Sequence, residues 1–155
     1  MTLALFFVAG ALAFLCEAAD AEPTIDYPSC TGGDFEIRVR VENVKVSAGL
    51  LVAELYPNKI EGFLSGASRL SILRLAAHAP MTAFCIFAPQ PGKYALSVYQ
   101  DENANTDFDR NFLGLPKEPW ALSNNPRVTL KGPHLKDALF EVADCGIDLR
   151  IRLQN

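Results

Sequence analysis

Apolar and charged residues alternate strictly along residues 35–42, which read FEIRVRVE. Successive side chains of a β-strand point to opposite faces, so this period of two predicts a strand with an apolar face in the core and a charged face in solvent. The same alternation returns over residues 147–153 and predicts the last strand. The two ends of the folded part of the chain are therefore expected to be strands.

Four further segments are rich in strand-forming residues and are bounded by Pro, Gly or Asn: 50–56, 70–77, 83–87 and 94–99. A strand is preferred over a short helix for the second of them. The sequence PQPG separates the last two segments and predicts a hairpin. A long irregular region then leads to the final strand. Short strands without a long amphipathic helix predict an all-β, antiparallel sandwich of about seven strands with Greek-key connections.

The composition limits the number of domains and the class of partner. The chain has 155 residues, of which 50% are hydrophobic, which is enough for one well-buried core. The formal net charge is −4 and no basic stripe is present. A phosphate backbone would require such a stripe, so a nucleic-acid partner is not expected.

The beginning of the chain has the character of a signal peptide. Its first 15 residues carry no charged side chain, and the small residues Ala18, Ala19 and Ala21 follow. The apolar run is too short for a stable membrane span, so we expect a signal peptide over 1–21 and one mature domain over 22–155. The location would be periplasmic or secreted, with no stable membrane span after cleavage. An uncleaved anchor is the alternative, because no basic residue precedes the apolar run.

Export changes the interpretation of the cysteines. Cleavage would leave Cys30, Cys85 and Cys145, an odd number, so one disulfide and one spare thiol are expected in an oxidising compartment. The preferred pair is Cys30 with Cys85, because one precedes the first strand and the other lies inside an apolar run. Closing that loop would stabilise the fold by roughly 4 kcal/mol. The alternative is three buried, reduced thiols.

Oxygen-bearing side chains stand at every second position directly after the predicted strand 94–99. These candidate metal ligands are Asp101, Asn103, Asn105, Asp107 and Asp109. Calcium takes about six to eight oxygen ligands, and a short alternating Asp/Asn loop supplies most of them. The sequence therefore predicts calcium as a cofactor of this loop.

This loop resembles the first part of an EF-hand loop but departs from it at two positions. Thr106 stands where that loop needs glycine, and Phe112 stands where it needs the bidentate glutamate. Glu118 is a candidate for the closing ligand. The alternative without a metal is a self-capped turn, in which Asp and Asn side chains accept hydrogen bonds from nearby backbone N–H groups.

The residues from 91 to 126 carry a family resemblance. The motifs are Pro91-Gly92-Lys93-Tyr94-Ala95, Tyr99, Asp101-Glu102-Asn103, Asn105, Gly114, Pro116, Glu118 and Ser123-Asn124-Asn125-Pro126. This pattern resembles the bacterial domain of unknown function 2141, and the likeness extends more faintly from Cys30 to Leu153. The resemblance implies an exported sandwich, immunoglobulin-like or transthyretin-like, and no established activity. Gln100 replaces a residue that is commonly His in the family, and Ala104 and Thr106 replace small residues that are often Gly.

The segment 111–126 is expected to be an ordered loop over one end of the sandwich, because three prolines restrict its backbone. It holds the single tryptophan, Trp120. With Lys117 and Asn124, this residue would make a platform for a sugar or a peptide, since an amphipathic ring beside polar donors suits such ligands. The alternative is that Trp120 anchors the loop to the core.

No catalytic set is recognisable in the sequence. His78 and His134 both lie beside prolines in predicted loops, without a nucleophile motif. We therefore expect an exported, non-catalytic binding or accessory module for an envelope protein or glycan, stabilised by calcium in the loop 101–109. The alternative is an envelope hydrolase, or its regulatory domain, that uses a carboxylate of the same loop.

Overall fold

The computed structural model describes residues 30–127 and 132–154. The expected signal peptide, 1–21, and its cleavage site lie outside these residues. Within them the chain forms eight strands and one short helix, in the order β1 (Glu36–Glu42), β2 (Leu50–Pro57), β3 (Ser71–Ala76), β4 (Met81–Phe87), β5 (Gly92–Asp101), β6 (Trp120–Leu122), α1 (Leu135–Ala138), β7 (Phe140–Val142) and β8 (Ile147–Arg152). No helix of this described part is long and apolar enough to cross a membrane.

The described strands form two sheets. One has the order β4-β1-β8, and the other has the order β3-β2-β5-β6, with β7 paired to β5. The core is made by apolar side chains of both sheets, including Ile37, Val39, Leu51, Leu96 and Val98. The all-β sandwich is therefore confirmed, and the expected strands at both ends of the domain belong to the first sheet.

One strand pair is parallel, which departs from a purely antiparallel sandwich. β1 runs antiparallel to β4 and parallel to β8, so Val39 lies opposite both Phe84 and Leu149. Parallel neighbours require a crossover connection rather than a tight turn. Here the chain reaches β8 from β7, which belongs to the other sheet.

The hairpin predicted across residues 89–92 is wrong. β4 pairs with β1 and β5 pairs with β2, so these four residues carry the chain from one sheet to the other. Ala88 still belongs to the first sheet, because its N–H donates to the Phe35 carbonyl at 3.1 Å. Proline and glycine mark a turn, but they do not decide whether the flanking strands pair with each other.

The first strand differs from the sequence expectation in two details. It begins at Glu36, because Phe35 has a left-handed backbone (φ 57°) that no strand contains. Glu36 itself is 1% exposed, although the charged members of residues 35–42 were expected in solvent. It lies beside Cys85, whose sulfur is 3.0 Å from Glu36 Oε1. The segment that carries Cys30 lies beside Glu36, so it covers this end of the outer face of the first sheet.

The cysteines account for one correct and one wrong expectation. A disulfide joins Cys30 to Cys85 across 55 residues, which is the pair preferred from the sequence. Cys145 is not free either, because the described part of the chain contains no free cysteine. The expectation of one spare thiol is therefore wrong for these residues.

The long irregular region before the last strand contains regular structure that the sequence did not predict. β6 and β7 have three residues each and α1 has four. Elements this short repeat the apolar pattern at most once, so it cannot be distinguished from chance. The expected ordered loop 111–126 therefore includes a strand, β6, which extends the second sheet beside β5.

Candidate functional site

The acidic loop begins at the end of β5, where the Asp101 side chain is fully buried. Its Oδ1 accepts the N–H of Asn105 at 3.1 Å, and its Oδ2 accepts the N–H of Thr106 at 2.8 Å. Both carboxylate oxygens are thus engaged in folding the loop back onto the strand. A buried carboxylate is costly without such donors, so Asp101 and this turn depend on each other.

The segment before β2 packs tightly against this point. Gly49 has a left-handed backbone (φ 68°), and a Cβ there would lie 1.9 Å from the Asp101 carbonyl oxygen. Next to it, Gln100 is fully buried and donates from Nε2 to the carbonyls of Val46 and Ala48, both at 2.9 Å. Gln100 therefore fastens the neighbouring segment to β5.

The other predicted ligands form a chain of local hydrogen bonds. Asn103 Oδ1 accepts the Asn105 N–H at 3.0 Å, and Asn105 Oδ1 accepts the Asp107 N–H at 2.8 Å. The amide groups of Asn103 and Asn105 donate to the Asp109 carboxylate at 3.0 and 3.3 Å. Asp107 joins this network through its backbone, while its side chain is exposed. Four of the five predicted ligands are thus tied together by their own side chains.

Two residues of the loop have backbones that favour glycine. Ala104 has φ 55° and Thr106 has φ 69°. The strain is greater at Thr106, because a β-branched side chain is disfavoured in the left-handed region. Its N–H must nevertheless point at Asp101 to make the bond that closes the loop.

Glu118 closes the acidic loop from the other side. Its side chain is 6% exposed, and its Oε2 accepts the Asp109 N–H at 3.1 Å. Its Oε1 is buried without a hydrogen-bond partner among the described residues. Burial raises the pKa of Glu118, the Asp109 N–H lowers it, and the charges of Asp101 and Asp109 raise it further. The Glu102 N–H also lowers this pKa. Oε1 is therefore a buried acceptor next to the loop that makes no direct hydrogen bond to the described residues.

The hydrogen bonds of the loop are those of the self-capped turn. In the described part of the chain, three acidic or sulfur ligands lie within 4.8 Å of one another only at Cys30, Glu36 and Cys85, where the two sulfurs are already joined. In the acidic loop, amide and backbone N–H donors lie between the carboxylates. These donors offset the repulsion of the negative charges in this conformation.

An open groove of about 990 Å³ lies beside the loop, on the outer face of the second sheet. Its floor includes Glu54 from β2, Tyr99 from β5 and Trp120 from β6. Arg69 lines it from the segment between β2 and β3, and Phe108 lines it from the acidic loop. Five separate parts of the chain therefore meet here.

Charged and hydroxyl groups form a network in the groove. Glu54 accepts hydrogen bonds from Arg69 Nη1 and from the Tyr56 hydroxyl, both at 2.6 Å. The Ser97 hydroxyl lies 3.5 Å from the same carboxylate. Burial raises the pKa of Tyr56, and the hydrogen bond to Glu54 raises it further. The network is preorganised, since each group is held by its neighbour before any ligand arrives.

Aromatic rings line the groove above this network. The Tyr99 and Phe108 ring centroids are 5.0 Å apart, and those of Phe108 and Trp120 are 6.4 Å apart. The Arg110 guanidinium lies 4.9 Å from the Phe108 ring centroid. Phe108 is thus held between two sheet aromatics and a cation. The acidic loop, by fixing Phe108, shapes the groove.

The structure separates the two predicted binding residues. Trp120 lines the groove and also packs against Phe108. Asn124 follows β6, and its amide donates to the carbonyls of Leu139 and Asp137 at 2.7 and 3.4 Å. It holds the chain near α1 and does not line the groove.

Several groove residues were missed in the sequence, above all Glu54, Arg69 and Phe108. One signal was present, because Glu54 interrupts the apolar run of the strand LLVAELYP. A charge on the face that such a strand was expected to bury indicates a partner or a site. Nothing local connects it to Arg69 or Phe108.

The family model described as "Uncharacterized protein conserved in bacteria (DUF2141)" matches residues 39–148. This match covers more than half of the chain. The chain belongs to the DUF2141 family. No curated protein and no solved structure matches it. The family match includes the acidic loop and most of the groove, and its description assigns no activity to either.

Proposed function

We propose that this DUF2141 chain is an exported, non-catalytic binding module that holds a glycan in the groove. The observation that supports this proposal is the aromatic row of Tyr99, Phe108 and Trp120 beside the Glu54–Arg69 pair. Sugar rings present apolar C–H faces and a rim of hydroxyl groups. Aromatic faces suit the former, and fixed acceptors and donors suit the latter.

The charge of the groove favours a neutral ligand. Glu54 and Arg69 neutralise each other, and their side chains are 14% and 33% exposed. Groups that remain partly exposed can still bond a hydroxyl, which both donates and accepts. An anionic or cationic ligand would instead have to displace one partner of the pair. A displaced partner that stays unpaired in a partly buried place costs free energy.

Export is part of the proposal and is supported by the disulfide. Disulfides persist in oxidising compartments and are rare in the reducing cytosol. The alternative hydrolase receives less support for Asp101 and Asp109, because their carboxylates already accept backbone or amide N–H groups, whereas the Asp107 carboxylate is exposed. A carboxylate engaged in this way holds the loop in place and is poorly suited to move a proton.

The test is glycan binding by wild type and groove variants. Calorimetric titration with a panel of envelope oligosaccharides should find a ligand whose affinity falls on the order of tenfold in Trp120→Ala and partly recovers in Trp120→Phe. Phe87→Ala is the matched control, because Phe87 is an exposed aromatic on the other sheet. Binding that Trp120→Ala leaves unchanged would contradict the proposal.

We propose calcium as a second ligand, bound by the acidic loop, on the strength of the unused Glu118 oxygen. Binding would require the Asn103 and Asn105 amides to turn their oxygens toward the ion. Because this rearrangement costs free energy, the expected Kd lies on the order of 10⁻⁴ to 10⁻³ M, the range of extracellular modules. Asp101, Asp107 and Asp109 would supply the remaining charge.

Thermal unfolding tests this second proposal. Millimolar calcium, compared with EDTA, should raise the Tm of wild type by mass action and should leave Glu118→Gln unmoved. Asp144→Asn is the control for general charge, since Asp144 is exposed and lies outside the loop. A wild-type Tm that does not respond to calcium would leave the loop as a self-capped turn.

A further inference from the structure

The long loop between β5 and β6 reverses its direction at a small turn. We call this turn, residues 111–115, the loop tip. The Asn111 N–H donates to the Leu115 carbonyl, and the Gly114 N–H donates to the Asn111 carbonyl, both at 2.8 Å. The Asn111 side-chain oxygen accepts the N–H groups of Leu113 and Leu115 at 2.9 and 3.0 Å. The tip is therefore held in one conformation by its own hydrogen bonds.

The base of the tip is also fixed. Arg110 and Pro116 form a β-bridge, and the Lys117 N–H donates to the Asp109 carbonyl at 2.9 Å. Through Asp109 the tip is linked to the acidic loop. An ordered tip loses little conformational entropy when it binds, which favours binding through few side chains.

This ordered tip presents apolar side chains to solvent. Phe112 is 96% exposed, Leu113 is 67% exposed and Leu115 is 46% exposed. Single exposed apolar residues are ordinary on protein surfaces, but three on one fixed turn form a patch. The core provides no reason for this arrangement, because Phe112 packs on nothing.

Cations flank the patch. Arg110 and Lys117 are both exposed at the base of the tip, and residues 111–116 between them contain no acidic residue. The Arg110 guanidinium donates to the Gly114 carbonyl at 3.0 Å, which keeps its charge beside the turn. The tip thus combines apolar side chains at its end with two exposed cations at its base, which lie next to the acidic residues Asp109 and Glu118.

We propose that the loop tip inserts into the surface of an anionic lipid membrane. Phe112 and Leu113 would enter the boundary between headgroups and acyl chains, and Arg110 and Lys117 would meet the lipid phosphates. Three apolar side chains give weak, reversible binding rather than an anchor. Because Leu115 and Pro116 also line the groove, insertion brings the groove to the membrane surface.

Vesicle co-sedimentation tests the proposal. The chain should sediment with vesicles of phosphatidylglycerol and phosphatidylethanolamine, and on the order of tenfold less with phosphatidylcholine alone. The double variant Phe112→Ser with Leu113→Ser should lose at least about tenfold in binding to the anionic vesicles. Because both side chains are exposed, its Tm should equal that of wild type.

Matched variants distinguish vesicle binding through the loop tip from nonspecific adsorption of the protein. Ile60→Ser removes an apolar side chain that is 75% exposed elsewhere and should bind vesicles as wild type does. Lys117→Gln should weaken binding and reduce its dependence on salt. Trp120→Ala should keep vesicle binding, so failure of the glycan proposal would leave this one standing.

Two results would overturn the proposal. One is that the wild-type protein fails to sediment with anionic vesicles, or that the double variant sediments with them equally well. The other is self-association or binding to a protein that the double variant abolishes while vesicle binding is absent, which would assign the tip to a protein interface.

Discussion

The two faces of β5 are buried by different means. On the inner face, Leu96 and Val98 pack in the apolar core between the sheets. On the outer face, Ser97, Tyr99 and Asp101 are also buried, but they lie among charged and hydroxyl groups of the groove and the acidic loop. Burial alone does not distinguish the faces. The two faces differ in the chemical nature of the side chains that surround them.

This difference separates stability from function. Apolar burial stabilises without a particular partner, whereas a buried polar group costs free energy unless a matched donor or acceptor meets it. The inner face therefore tolerates any well-packed apolar set. The outer face requires specific groups at specific places, and these groups line the groove and the acidic loop. Substitutions on the two faces should have different consequences.

The largest effect is expected on the inner face. Leu96→Ala removes a fully buried side chain and should lower the free energy of unfolding by about 3 kcal/mol through lost burial and a new cavity. Urea unfolding measures this loss, and glycan affinity should stay unchanged below the midpoint. A loss under about 1 kcal/mol would show that the core collapses around the site, and the contrast between the faces would fail.

On the outer face, Asp101→Ala should cost about 2 kcal/mol, because the Asn105 and Thr106 N–H groups lose their acceptors. It should also weaken glycan binding, since the loop that positions Phe108 loosens. Asp107→Ala is the matched control, because the Asp107 side chain is exposed, and should change stability by less than about 0.5 kcal/mol. Equal effects of the two variants would remove the special role of Asp101.

A smaller gain is expected at Thr106, where the left-handed backbone strains a β-branched residue. Thr106→Gly relieves that strain and should stabilise the fold by about 0.5 to 1 kcal/mol, after the entropy cost of glycine is subtracted. Thermal unfolding measures the change. The same exchange at Thr82, inside β4, should destabilise the fold. A loss of stability in Thr106→Gly would mean that the threonine side chain supports the loop.

The smallest effect is a change in pH dependence at Glu118. Because its pKa is raised above the ordinary 4.5, this carboxyl contributes stability below that value, and the contribution is lost as pH rises through the raised pKa. Glu118→Gln cannot ionise, so its Tm should lie above that of wild type at neutral pH and approach it in acid. A Tm difference that does not vary with pH would contradict this assignment.

The strands could be predicted from the sequence because the pattern that marks them involves only residues close together in the chain. Over residues 35–42 the period of two placed Ile37 and Val39 in the core, where the structure has them fully buried. The Asp/Asn repeat likewise marked the acidic loop, because Asn103 and Asn105 bond to N–H groups two residues ahead and Asp101 bonds to N–H groups four and five residues ahead. Such contacts depend on neighbours in sequence and on the geometry of a single turn.

Pairing and the groove were decided by tertiary structure. Residues 89–92 read as a turn whether the next strand returns to the same sheet or crosses to the other, and the apolar faces of β1 and β2 settle that choice by packing. Glu54, Arg69 and Phe108 come from three segments, so no spacing in the chain relates them. Glu36 shows the same limit. Its place in the alternating pattern predicted a side chain exposed to solvent, but a disulfide between distant segments covers it. Local periodicity determines which face a side chain occupies, and only the packing of distant segments determines what that face meets.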